Sequence, residues 1–235
     1  MTDLDTIRHE GIFSAVSFGD RLVDIVGCGA NGSKVATGVA KLGVSNIRLW
    51  DGDRVEAHNI ANQAYMLSDI GRLKVDALAD HLRLASGVEA KTMPQFIEKP
   101  VAFGSVVFLC VDSMATRRKI WRQSICRKSR VKVMIETRID IETYGVFTIT
   151  PTNRDHIKLW EAESDYDDVP QSENPCGMPI TIGATSSLAA AHSVWHFIRW
   201  WREAQGQETE QLLQPAITIT LFPYHVEEHL LPEEE

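Results

Sequence analysis

Asp51, Asp53, Asn59, Asn62, Gln63 and Lys74 follow one another closely, the amides on a stretch with few charges. Just ahead of them lies Gly27-Cys28-Gly29-Ala30-Asn31-Gly32-Ser33. Glycines in that spacing let a chain turn tightly, let backbone approach a phosphate, and let a helix pack close to a strand. A helix starting there offers free N–H groups and a positive dipole end to an anion. Carboxylates can hold ribose hydroxyls or a magnesium ion, while amides and a lysine can hold a triphosphate. The glycines alone leave NAD and ATP open; the polar run that follows them favours ATP.

The surrounding pattern says which elements position these groups. Leu22–Val26 is short and apolar, as a buried parallel strand is. Val35, Ala36, Val39, Ala40 and Leu42 recur at helical spacing over 32–42, with Gly43 as the stop. The strand Asn46–Trp50 runs into Asp51, about 20 residues past Gly32, the usual place for a ribose-binding carboxylate. Lys74 begins a helical run, about 72–85, with Val75, Leu78, Leu82 and Leu84 as its apolar positions. Strands are expected at 89–93, 105–111, 131–136 and 144–150, and a helix at 114–128. Such alternation predicts an α/β, Rossmann-like fold with a largely parallel sheet covered by helices. Ligands then sit at the carboxyl ends of the strands, where Gly27, Asp51 and Asp112 all fall.

Residues 1–235 read as one domain: a nucleotide-binding half over 1–150, an acidic stretch without clear periodicity over 151–182, and a C-terminal substrate-binding half over 183–235. In that last half, Gly183–Arg202 predicts a long helix. Leu188, Ala191, Val194, Trp195, Ile198 and Trp201 mark one face, for core packing or a dimer. Ala216–Phe222 reads as a late strand, at an edge.

Taken in order, the motifs resemble the ThiF/MoeB superfamily, bacterial relatives of ubiquitin-activating enzymes. The likeness is carried by Gly27-x-Gly29-x-x-Gly32-Ser33, Asp51-x-Asp53-x-Val55-Glu56-x-x-Asn59-x-x-x-Gln63, Asp69-Ile70-Gly71-x-x-Lys74-Val75 and Val111-Asp112-Ser113-x-x-x-Arg117. Members adenylate a carboxylate, usually the C-terminus of a small ubiquitin-like or sulfur-carrier protein. The resemblance implies ATP and Mg2+, with Gly27, Gly29, Gly32, Ser33, Asp51 and Asp53 at the nucleotide. It implies Asp51 on the ribose, Asn59, Gln63 and Lys74 on the phosphates with Asn62 among them, Arg117 beside them, and Asp112 on magnesium. It makes 151–182 a crossover loop and Cys176 the conjugating cysteine. Asn62 stands where many members carry an arginine that reaches into the partner subunit. One argument for an obligate dimer is therefore missing, and a homodimer stays open.

Each residue alone has a plainer reading. Asn59 and Gln63 suit turns or caps, Lys74 a solvated helix face, and Asp112 a cap on the next helix with Arg117 and Arg118 exposed. Cys176 suits an ordinary loop cysteine. Only the ordered set reverses those readings. The competing functions are an NAD-binding dehydrogenase or redox sensor, and a non-catalytic nucleotide-binding scaffold. A net charge of −8 argues against nucleic acid, and the basic run Arg117–Lys132 reads as a solvated helix face. A hydrophobic content of 44% is enough for a core, and no apolar run is long enough to span a membrane. Cys28, Cys110, Cys126 and Cys176 contain no CxxC pair, so neither a structural zinc nor a disulfide framework is expected, and the location is expected to be cytoplasmic.

Overall fold

The computed structural model describes residues 4–167, 182–207 and 211–229. After a short helix α1 (Ala15–Phe18), the fold is organised by β1 (Val23–Val26), whose four residues are all buried. It is flanked in parallel by β2 (Ile47–Trp50) and β4 (Val106–Leu109), with β3 (Lys91–Met93) and β5 (Val133–Ile139) next outward. The register pairs Val26 with both Trp50 and Leu109. Gly27, Asp51 and Cys110 therefore leave the sheet side by side, which is where the sequence places the chemistry. Three antiparallel strands complete the eight-stranded sheet: β6 (Thr143–Ile149), β7 (Ala216–Leu221) and β8 (Tyr224–Glu228).

Side chains alternate between the two faces of each strand, and each face has its own helices. One buried cluster joins Ile25, Leu49, Phe108 and Ile135 to α2 (Gly32–Lys41), α3 (Lys74–Ser86) and α6 (Gly183–Ala204) through Val35, Val39, Leu78 and Phe197. The other joins Val26, Trp50, Leu109 and Met134 to α4 (Met114–Ile120) and α5 (Arg154–Glu163) through Ile120 and Trp160. Each such side chain contributes about 1.5–3 kcal/mol by leaving water. The expected α/β, largely parallel architecture is what the chain adopts. None of the helices among the described residues is long and apolar enough to cross a membrane.

Three expectations need correction. The stretch 151–182 begins with a helix, α5, not a loop. Asn153 caps it by accepting from the N–H groups of Asp155 and His156, and Ile157 and Trp160 fix it to the core. The inward face of α6 is only partly the one expected: Ile198 and Trp201 are buried in the core. Leu188 and Trp195 are about half exposed (47% and 52%), whereas Ser193 and His196 are buried, bonded to Thr137 and Thr148 of the sheet. Finally, β7 is not an edge, because β8 pairs along it and is itself exposed throughout.

Candidate active site

The glycine turn between β1 and α2 is held by close approach. Gly27 has φ +88°, a conformation that disfavours side chains, and a Cβ there would lie 2.8 Å from the Cys110 carbonyl oxygen. A Cβ on Gly32 would sit 1.8 Å from the Gly27 carbonyl oxygen, so only glycine lets α2 begin there. Gly29 is the opposite case: a Cβ would meet nothing within 4 Å. The middle glycine thus leaves backbone open to a ligand at the N-terminus of α2. Ser33 is fully buried and ties the turn internally, donating to Gly29 O at 2.7 Å and accepting from Ala64 N at 3.1 Å.

Asp51 follows β2 and is nearly buried. Its Oδ2 accepts from Cys28 N (2.7 Å) and its Oδ1 from Asp53 N (2.8 Å). A carboxylate has about four lone-pair sites, so two remain for hydroxyl donors such as those of a ribose. Asp53 takes the Lys74 ammonium at 2.9 Å, and its carbonyl accepts from Lys74 N, so the two are joined twice. Lys74 is buried, but Asp53 is half exposed. The solvated-lysine reading therefore fails here.

The amide cluster lies between these groups. Asn59 is buried and accepts from Glu56 N at 2.9 Å, closing a short 3-10 turn. Asn62 lies against the start of α6, where a Cβ on Gly183 would be 3.4 Å from its Cα. Gln63 Oε1 and Asn31 Oδ1 are buried without hydrogen-bond partners. A half-turn of either amide presents NH2 instead, so both positions can serve an acceptor-rich ligand. Asp112 follows β4 and is exposed, with Oδ1 accepting from Ser113 N at 2.9 Å. The cap of α4 is Ser113, which accepts from Thr116 N. Asp112 is thus not the cap, and its carboxylate faces solvent.

Arg117, expected beside the nucleotide and otherwise on a solvated face, does neither as a free side chain. It is buried, and its Nη1 donates to Glu136 Oε1 at 2.9 Å. Glu136 also accepts from Arg138 Nε (2.6 Å) and Trp160 Nε1. Burial alone would raise the Glu136 carboxyl, but Arg117 and Arg138 overcome it and hold it below the ordinary value. Arg117 still lies close enough to counter the rise of the Cys110 thiol, which burial pushes up to about 12. Burial likewise raises Cys28 and Cys126, so none of these three is a ready thiolate. Cys176 lies outside the described residues.

Sequence reasoning missed several groups that hold this site. Tyr65 Oη donates to Cys28 O (2.7 Å) and lies 3.3 Å from Lys74 O, which joins the glycine turn to α3. Lys34 Nζ reaches Gly183 O (2.8 Å) and Ser186 Oγ (2.5 Å), which joins α2 to α6. A tyrosine and a lysine carry no periodic signal for such bridges. Their place beside the quoted motifs is the one hint the sequence offers.

Comparison with known proteins gives the family. A family model described as "ThiF family" matches residues 19–233. The chain belongs to the ThiF family. "Adenylyltransferase and sulfurtransferase uba4" of Emericella nidulans is 34% identical over 119 residues, covering 46% of this chain and 24% of that protein. Its namesake in Neosartorya fischeri is 38% identical over 96 residues, covering 40% and 18%. The chain thus spans about a quarter or less of the length of these curated relatives. Among solved structures, E. coli MccB with ATP superposes with a TM-score of 0.67 at 16% identity, covering 92% of this chain and 65% of that one. PaaA gives 0.66 at 18%, covering 90% and 64%. At such identities the superpositions speak for a shared ThiF-type fold.

Proposed function

We propose that this ThiF-family chain uses ATP to adenylate the C-terminal carboxylate of a small sulfur-carrier protein, ubiquitin-like protein or peptide. The observation that carries the reading is Lys74. A buried ammonium with a single half-exposed carboxylate partner stands beside an open glycine turn, and α3 is joined to that turn through Tyr65. A triphosphate carries more negative charge for such a cation to offset than the diphosphate of a nicotinamide dinucleotide does. The names of the relatives support the reading: uba4 is called an adenylyltransferase and sulfurtransferase, and MccB was solved with MccA.

In this reading the substrate carboxylate attacks the α-phosphorus of ATP. The bond to the β-phosphate oxygen breaks, giving an acyl adenylate and pyrophosphate. Lys74 offsets the charge that develops on the phosphates, and Asp51 holds the ribose through its remaining lone pairs. Asn31 and Gln63 orient the phosphates over Gly29. Asp112 would hold Mg2+, a hard ion suited to an exposed carboxylate, and the ion supplies further neutralisation of phosphate charge. The acyl group then passes to a sulfur nucleophile, for which Cys176 is the candidate: the acyl–sulfur bond forms, the acyl–oxygen bond to the adenylate breaks and AMP leaves, in a homodimer or a monomer. A reaction that consumes ATP suits the cytoplasm.

Thermal unfolding with Mg·ATP, Mg·NAD and neither tests the reading. At a hundredfold excess over Kd, Mg·ATP should raise the melting temperature by about 5–10 °C. The shift should shrink without magnesium and in Asp112→Ala. A shift with NAD and none with ATP would overturn the assignment.

A further inference from the structure

His192, His196 and Arg199 recur at helical spacing along one side of α6, and no part of the reading above uses them as a group. Together with Trp195, Leu212 and Ile217 they line a cavity of about 290 Å³ beside β7. That is close to the lower end of the usual size of small-molecule sites, about 300–1,000 Å³. Both imidazoles rest on β6, and β4 and β5 stand between β6 and β1. Three strand spacings, about 14 Å, thus separate β6 from the strand that carries the glycine turn.

The two rings are held in the same way. His192 Nδ1 lies 3.0 Å from Tyr144 Oη, and His196 Nδ1 lies 2.7 Å from Thr148 Oγ1. Each hydroxyl can donate to its ring nitrogen, which leaves the ring proton on Nε2. Nδ1 is turned to β6, so Nε2 faces away from it, and neither Nε2 has a hydrogen-bond partner among the described residues. Burial lowers both imidazoles. It pushes His196, with help from His192 and Arg199, down to about 3, so these rings meet a ligand as neutral donors near pH 7.

The charge in the cavity comes from Arg199. Its Nε is buried without a hydrogen-bond partner, its Nη2 donates to Gln211 O, and no carboxylate pairs with it among the described residues. Glu203, one turn further on, accepts from Leu213 N (2.7 Å) instead. A buried guanidinium nitrogen without an acceptor costs free energy that an anion would restore. Histidines four residues apart, with ring centres at 5.9 Å, also suit a metal ion, but the guanidinium beside them repels a cation.

We propose that this cavity is a second binding site, for a small organic acid with an apolar body. The carboxylate accepts from Arg199 Nε and from Nε2 of His192 and His196, three donors for its four lone-pair sites. The body covers Ile217 and the side chains of Trp195 and Leu212, which are otherwise exposed.

The test is calorimetric titration of the full chain with hexanoate, phenylacetate, 1-hexanol, inorganic phosphate and Zn2+, one at a time. Hexanoate or phenylacetate should bind with a Kd on the order of 0.1–1 mM, about tenfold or more tighter than 1-hexanol or phosphate. Arg199→Gln should weaken the acid about 10–100-fold. Leu212→Ser, at a position too exposed to disturb the core, should weaken it about threefold. The melting shift with Mg·ATP should be the same in Arg199→Gln as in the native chain, so failure of this proposal and failure of the ATP reading are told apart. No binding of either acid at about 10 mM would overturn the proposal. So would acid binding undiminished in Arg199→Gln, or binding of 1-hexanol or phosphate as tight as that of the acids. Zn2+ binding tighter than that of the acids and abolished by His192→Ala would assign the cavity to a metal ion and overturn it too.

Discussion

Lys74 with Asp53 and Arg117 with Glu136 both join a cation to a carboxylate near the same end of the sheet, yet they leave different atoms available. Asp53 is half exposed, so water can take over its oxygens and Lys74 can turn to an incoming anion. Glu136 is fully buried and accepts from two guanidinium groups and an indole. Nothing can replace those partners without opening the core. Arg138 is further fixed by Phe147, whose ring centre lies 4.0 Å from its guanidinium carbon, and by donating to Glu163 O and Ser164 Oγ. The difference teaches that sign of charge alone does not mark a binding residue. What marks it is whether its counter-ion can be exchanged for solvent.

Breaking the closed pair should therefore cost stability. Glu136→Gln leaves the buried Arg117 and the partly buried Arg138 facing a neutral amide, a loss of about 3 kcal/mol or more. That corresponds to a fall of about 6–12 °C in melting temperature. Mg·ATP affinity measured well below the transition should barely change. A variant as stable as the native chain would show that the two arginines find other partners, and the contrast with Lys74 would collapse.

Breaking the open pair should cost binding. Lys74→Met removes a charge-assisted contact to the phosphates and leaves Asp53 to water, so Mg·ATP should bind about 10–100-fold more weakly. Melting without nucleotide should move far less than in Glu136→Gln. If Lys74→Met unfolds the chain while the nucleotide affinity of the surviving fraction is unchanged, Lys74 belongs with the structural pair.

The same contrast explains what could be read before the fold was in view. The strand–turn–helix around Gly27, Gly29 and Gly32 was legible because its spacing and flanking apolar runs follow from local geometry. The adjacency of Gly27, Asp51 and Asp112 followed from parallel strands ending at one edge. Arg117 could not be read, because its partner Glu136 is on another strand and nothing local distinguishes a buried arginine from a solvated one. α5 was missed because its acidic Asp155, Glu161 and Glu163 run into the acidic residues that follow, while only Ile157, Leu159 and Trp160 are buried. On α6 the polar Ser193 and His196 took the inward places through hydrogen bonds to Thr137 and Thr148, which a hydrophobic pattern does not register. Cooperation between distant polar groups is the missing information in each case.

Acid sharpens the comparison with the smallest expected effect. The folded state holds Glu136 below its ordinary value of 4.5, so its ionised form is favoured by folding. A depressed carboxyl contributes stability that is complete above the unfolded value and is lost as pH falls through the folded one. The native chain should thus keep its melting temperature from neutral pH down to about 5 and lose part of it below about 4.5 as Glu136 takes a proton. Glu136→Gln has no such proton to bind, so the gap between the two melting temperatures should narrow as pH drops. Asp53→Asn, at the open pair, should leave that acid slope nearly as in the native chain, since water already screens its charge. An equal narrowing in Asp53→Asn would mean that the acid response belongs to the carboxylates at large, and not to the buried one.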